Sequence, residues 1–253
     1  MRVVYYIYDG SFEGLLTAIY EAYYRRETPE KILSSDNVQN SLFIKYVHIN
    51  TDQEKAQRVY DAIVQKISPS AAKNVLYAFL SEAQDAGTAI YRYLKLGWKM
   101  GKSVDSALAE PHVFRVHALR KKVSQEAGKM LGLVRFRLLK SGVYYAPIEP
   151  DFNILGIIAP HFKKRMPNQD WIIHDVKRKL AAFYSQGQYA IVPFEFKGAL
   201  PLDDEEFDYQ TLWKEYFQNI AIKSRINPRL QRQFMPVRYW KYLIETPGTQ
   251  AKS

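Results

Sequence analysis

The residues with the clearest chemical potential are cations, and they are clustered. Between Arg115 and Lys140 lie Arg115, Arg120, Lys121, Lys122, Lys129, Arg135, Arg137 and Lys140, against Glu126 alone. Guanidinium forks match phosphate oxygens in pairs, which makes such a stretch a candidate polyanion surface. Arg135 and Arg137 are two apart in a run of strand-forming residues. A strand would set both on one face, with Val134, Phe136 and Leu138 on the other. A second group is His161, Lys163, Lys164 and Arg165, followed by Lys177, Arg178 and Lys179. Cations at a helix end also complement the helix dipole, so this group has a purely structural alternative. The third group is Lys223, Arg225, Arg229, Arg232, Arg238 and Lys241, with no Asp or Glu from Tyr216 to Ile244. Tyr239, Trp240 and Tyr242 are interleaved with these cations. Basic grooves with stacking aromatics suit single strands or flipped bases. Large aromatics are also common core anchors, which is the alternative for Tyr239 and Trp240.

The placement of charge agrees with a polyanion partner. The net charge is +10, residues 1–110 are balanced, and the whole excess lies in residues 111–253. Nucleic acid fits this asymmetry best. A basic surface kept for solubility and a lipid headgroup partner are the alternatives.

Residues able to move protons are sparse. His161, His174 and Asp175 are the candidates, because histidine titrates near neutral pH. His174 and Asp175 adjoin within a strand-like run, Trp171 to Asp175, so they face opposite sides and cannot pair with each other. Two histidines without a carboxylate pattern give no metal site. The turn Asp9-Gly10-Ser11 leads from a strand into a helix that begins near Glu13. Backbone N–H groups there could hold an anion. Asp9 and Glu13 oppose phosphate and could instead orient a base or act as an acid–base pair. A plain turn with Ser11 as helix cap is equally open. There is no Walker loop and no dinucleotide-binding glycine pattern. The chain has no cysteine, which excludes disulfides, zinc–thiolate sites and iron–sulfur ligation by its own residues. No cofactor is expected in this chain.

The elements that position these residues follow from periodicity. Val3 to Tyr8 and Phe43 to Ile49 read as strands. Helices are predicted over Phe12–Tyr24, Gln53–Ile67, a stretch after Ser68-Pro69, Thr88–Met100 and Pro111–Lys129. Leu131–Leu139 and Gly142–Ile148 are predicted strands of a hairpin turning at Lys140-Ser141-Gly142. A helix over Phe152–Lys164 should be interrupted by Pro160. Strands at Trp171–Asp175 and Gln188–Glu195 follow, with Lys177–Ala182 of either type. A helix from the acidic run Asp203–Asp208 to Ile222 comes next. The fold class is α+β, with a helix-rich first half holding two strands and a second half built on an antiparallel sheet packed with helices. The expected organisation is residues 1–110, residues 111–245 and a frayed tail, 246–253, with one continuous domain as the alternative. No targeting segment or membrane span is legible, so a cytoplasmic location is expected and no membrane partner.

Several motifs together resemble one bacterial family, the "probable DNA metabolism protein" family. They are Tyr8-Asp9-Gly10-Ser11-Phe12-Glu13-Gly14, Val134-Arg135-Phe136, Tyr144-Tyr145-Ala146, His161-Phe162, Trp171-Ile172-Ile173-His174-Asp175 and Met235-Pro236-Val237-Arg238-Tyr239-Trp240-Lys241. The resemblance covers nearly the whole chain in the same order. Members accompany a radical-SAM protein of presumed DNA modification or repair, and a related domain is fused to uracil-DNA-glycosylase-like domains. The resemblance implies a role in DNA repair or modification with a radical-SAM partner, which would itself carry the iron–sulfur cluster. The chain departs from the family's Glu-x-His-Arg run, having Glu126-Ala127-Gly128-Lys129 there. The retained cation, Lys129, favours binding at that spot over chemistry.

The leading expectation is a DNA-binding accessory protein that holds single- or double-stranded DNA through the clustered cations. One alternative is a base-processing or nuclease-like enzyme using His161, His174 or Asp175. The other is a structural adaptor for the radical-SAM protein without DNA contact.

Overall fold

β1 (Val3–Tyr8) buries Tyr6, Ile7 and Tyr8 at the centre of a three-stranded parallel sheet of order β2-β1-β3. Its flanking strands are β2 (Lys31–Ser34) and β3 (Ile44–His48). The computed structural model describes residues 3–37, 43–196, 201–220 and 228–245. Within these the chain is mixed α+β. β2 adds a third strand to the two expected. It spans only four residues, too few for alternation to show, and is held by burial of Ile32 and Leu33.

Helices α1 (Phe12–Tyr24), α2 (Gln53–Lys66), α3 (Pro69–Phe79) and α4 (Ala86–Met100) complete the first core with Leu15, Ile19, Ile63, Ile90 and Leu94. Three begin at side-chain caps. Ser11 accepts from the Gly14 N–H, Asp52 from Lys55 and Ser68 from Ala71. α5 (Pro111–Leu133) follows. The chain divides into two compact units, Met1–Ser124 and Gln125–Ser253, and the division falls inside α5 instead of at 110/111. Counted by these units, basic against acidic residues are 17 to 13 and 19 to 13, or +4 and +6. The charge asymmetry between structural units is thus weaker than a division by halves implies.

The strand expected over Leu131–Leu139 is corrected. α5 continues to Leu133 because Val116, Leu119, Val123, Ala127, Met130 and Leu133 form one buried stripe at helical spacing. Only Arg137–Leu138 remains as β4. It opens a five-stranded sheet of order β4-β5-β6-β7-β8, with β5 (Tyr144–Ile148), β6 (Trp171–Asp175), β7 (Leu180–Ser185) and β8 (Gln188–Pro193). The β4–β5 hairpin turns at Gly142, whose φ of +80° favours glycine. β5 and β6 run parallel, so the sheet is mixed and not wholly antiparallel. The connection between them is α6 (Leu155–Arg165), as parallel neighbours require. α6 contains Pro160 within a single element, so the expected interruption does not divide it. Its Phe162 packs on Trp171, ring centroids 6.4 Å apart. α7 (Asp204–Ile220) starts on Asp204, Glu205 and Glu206. α8 (Pro228–Phe234) and a 3-10 turn, Val237–Tyr242, follow. No helix among the described residues is long and apolar enough to cross a membrane.

The first turn depends on Gly14. A Cβ there would lie 2.2 Å from Asp9 Oδ1 and 2.8 Å from Thr51 Oγ1. Asp9 is not free to move away, because it accepts from Ser11 N (2.9 Å), Ser11 Oγ (2.6 Å) and Thr51 Oγ1 (2.7 Å). Gly14→Ala should therefore destabilise the first unit by about 1–3 kcal/mol, read as a lower urea midpoint. An unchanged midpoint would mean that the turn yields without strain.

Candidate nucleic-acid interface

In the second unit a cleft of about 580 Å³ is lined by Arg135, Phe136, Arg165, Glu206, Tyr209 and Trp213, among others. One wall comes from α7. Tyr209, Leu212, Trp213 and Tyr216 recur at helical spacing and are 59%, 60%, 38% and 56% exposed, so a stripe of α7 presents aromatic surface outward. Ordinary soluble helices turn such a stripe inward. The Arg135 guanidinium lies over the Trp213 ring at 5.4 Å, a cation–π arrangement. Lys163, Lys164 and Arg165 form the last turn of α6, where Lys164 and Arg165 are exposed and Lys163 is partly so. Arg229 and Arg232 are exposed on α8, and Arg225 lies outside the described residues.

Other expected contact residues already hold internal partners. Arg135 bonds Glu245 through Nε (3.2 Å) and Nη2 (2.5 Å). Burial pushes the Glu245 carboxyl up, but the Arg135 guanidinium outweighs it and holds the group below the usual carboxylate range. Arg238 meets Asp151 at 2.7 Å, and Lys241 pairs with Glu149. Tyr239 is 3% exposed and donates its hydroxyl to Glu126, while Trp240 Nε1 donates to the Met235 carbonyl at 2.8 Å. Arg238 and Lys241 of the third basic cluster thus form a clasp that fastens the Val237–Tyr242 turn, whereas Arg229 and Arg232 stay exposed.

Arg135 and Arg137 do not share a face, contrary to the expectation. Arg135 precedes the strand and lines the cleft. Arg137 pairs in register with Tyr145, opposite in facing to Leu138 and Tyr144, which line the cleft. Arg137 Nε is buried without a hydrogen-bond partner. Burial lowers its pKa, against the pull of Glu206, Tyr145 and Tyr242. In the first unit, Lys121 is exposed and Arg120 is half-buried with an unpartnered Nε.

The histidines are also separated. His174 is 4% exposed, and its Nδ1 lies 2.6 Å from the Tyr145 hydroxyl. Its Nε2 has no hydrogen-bond partner of normal geometry. Burial holds His174 below the usual histidine pKa, while the Asp175 charge and the Phe194 backbone pull the other way. Burial likewise pushes Tyr145 up to about 12, with Tyr242 adding to it. His161 belongs to α6, which packs on the Trp171 face of the sheet, whereas His174 faces the other side with Tyr145. Asp175 is fully buried and bonds Arg178 Nη1 at 2.9 Å, which is a structural use of the carboxylate. Among the described residues no three His, Asp or Glu side chains gather as metal ligands. The Asp9–Gly10–Ser11 turn is closed by its own hydrogen bonds, and Glu13 lies in the first turn of α1.

Reasoning from sequence missed the carboxylates Glu126, Glu149, Asp151 and Glu245. Their cationic or hydroxyl partners lie 87 to 113 residues away in the chain, so no local spacing signals them. No curated protein matches the chain. Residues 84–245 match the family described as "Domain of unknown function (DUF4130)". That stretch contains α5, the five-stranded sheet, the cleft and the clasp, and the chain therefore belongs to the DUF4130 family.

Proposed function

We propose that this chain is a DNA-binding accessory protein of DNA repair or modification, and that it holds a single strand along the cleft of its second unit. The observation that carries this reading is the exposed aromatic stripe of α7 beside Arg165, with Lys164 exposed in the same turn of α6. Aromatic faces accept any base, and unpaired cations take the backbone. The setting in DNA repair or modification and the work beside a radical-SAM enzyme rest on the family resemblance alone.

Fluorescence anisotropy with single-stranded and duplex DNA across a salt series tests it. Affinity for single strands should fall by about 0.7 log units per phosphate neutralised for each tenfold rise in salt. Replacing Lys163, Lys164 and Arg165 by Ala should flatten that slope by about 2. Tyr209→Ala should weaken binding by about 1–3 kcal/mol and leave the slope unchanged. Absent binding at low salt, or a salt-independent affinity, would overturn the reading and leave the adaptor role, seen as co-purification with the radical-SAM protein without DNA.

One observation favours a second reading, a base-processing enzyme. The Tyr145–His174 pair joins a hydroxyl to an imidazole whose second nitrogen has no hydrogen-bond partner of normal geometry. Turnover on damaged DNA by the protein alone, lost in a folded His174→Gln variant, would support it. Normal turnover in that variant would remove His174.

A further inference from the structure

The first unit holds a separate pocket of about 340 Å³, lined by residues of β2, α4 and α5 and of the turn before α4. Its polar lining sets three cations, Lys31, Arg92 and Arg115, against two carboxylates, Asp85 and the exposed Glu30, with Gln84, Thr88 and His112. The Lys31 ammonium lies over the Tyr5 ring, 5.3 Å from its centroid, and the charges of the lining leave one cation in excess. Asp85 is occupied by Arg115, which grips it through Nε (2.8 Å) and Nη2 (2.7 Å). Thr88 Oγ1 is occupied by the Ile32 backbone. Arg92 has only neutral partners in its hydrogen bonds, with Nη1 3.1 Å from His112 Nε2 and Nη2 3.1 Å from the Glu30 carbonyl. A guanidinium set in a pocket wall with neutral partners keeps its full charge directed at the pocket. His112 accepts from Arg92 through Nε2, which requires the neutral ring with its proton on Nδ1. Burial and the Arg92 charge both hold His112 below the usual histidine pKa, with Glu110 opposing them.

We propose that this pocket binds a small phosphate-bearing molecule, with Arg92 as the principal anchor and Lys31 and Arg115 as flanking cations. A phosphate offers several acceptor oxygens, which suits the planar donor fork of Arg92 and the point charge of Lys31. The pocket volume lies at the lower end of the range for small-ligand sites, enough for a phosphate with a modest group attached. Asp85 restrains the site, because its carboxylate occupies the fork of Arg115 and repels an incoming anion. The proposal is independent of the cleft in the second unit.

Titration of the full chain with inorganic phosphate and with deoxyadenosine monophosphate, followed by heteronuclear NMR at constant ionic strength, tests this directly. Saturable shifts of the Arg92 side chain and the His112 ring are expected. Arg92→Gln should weaken binding by about tenfold or more. Asp85→Asn should strengthen it, because it frees the Arg115 fork and removes the repelling charge. The Asp85–Arg115 pair is exposed, so its loss should leave the fold intact. Tighter binding of the monophosphate than of phosphate would identify an ester, and equal binding would identify the free ion. No saturation with either probe, or equal affinity in wild type and Arg92→Gln, would overturn the proposal.

Discussion

Glu126→Ala is expected to destabilise the second unit by about 3–5 kcal/mol. Glu126 is 5% exposed, and its oxygens accept from the backbone N–H groups of Asp151 and Phe152 at 2.8 Å each and from the Tyr239 hydroxyl. Arg238 lies 3.9 Å away. Alanine would strip these donors of their acceptor inside a packed site, where an unmade hydrogen bond is far more expensive than a made one is favourable. Urea unfolding followed by tryptophan fluorescence reads the effect. Glu126→Gln should lose less, because it keeps an acceptor, and more than nothing, because its amide sets donors against donors. A loss under about 1 kcal/mol for the alanine variant would mean that water replaces the carboxylate. Two residues on, Gly128 is exposed, and a Cβ there meets nothing within 4 Å. A larger side chain would therefore fit there, and the glycine is not forced by packing.

Asp175→Ala should be comparably severe, again about 3–5 kcal/mol and roughly 10 °C in melting temperature. The Asp175 side chain is fully buried and that of Arg178 is 8% exposed. Arg178 also donates to the carbonyls of Pro150 (3.1 Å) and Asp151 (2.7 Å), so the pair links the β6–β7 turn to the loop before α6. Removing the carboxylate leaves a guanidinium without that counter-ion in a desolvated place. Asp175→Asn retains an acceptor for the Arg178 N–H and should lose less. Lost activity in an alanine variant would report an unfolded unit, so an acid–base role for Asp175 needs a melting curve beside every rate. A melt within a degree or two of wild type would refute the structural role.

Elements carried by a long, regular pattern were legible in the sequence. α1 and α2 announce themselves through caps and apolar stripes, and Trp171–Asp175 is a strand at the expected bounds. Short elements were not legible, because the four residues of β2 and the two of β4 offer no period to read. The end of α5 was misplaced because Leu131 to Leu139 suits either period, and tertiary burial of Met130 and Leu133 decided for helix. The basic clusters were visible as composition, but which cations remain unpaired depends on distant carboxylates. Arg135, Arg238 and Lys241 find theirs at Glu245, Asp151 and Glu149, while Lys164 and Arg165 are left exposed. The aromatic stripe of α7 reads as an ordinary core face until the structure shows it turned outward.

The clasp around Val237–Tyr242 has a consequence for how the protein is made. Glu126, Glu149 and Asp151 leave the ribosome 87 to 113 residues before their partners Arg238, Lys241 and Tyr239. Until residues 238–241 emerge, Glu149 and Asp151 lack their cations, and the loop before α6 is fastened only through Glu126 and Arg178. The clasp of the second unit therefore closes only after residues 238–241 are made, whereas the first unit can close while translation continues. A ribosome stalled short of Pro236 would hold a finished first unit and an unlatched second one, open to proteolysis at the loop around Asp151.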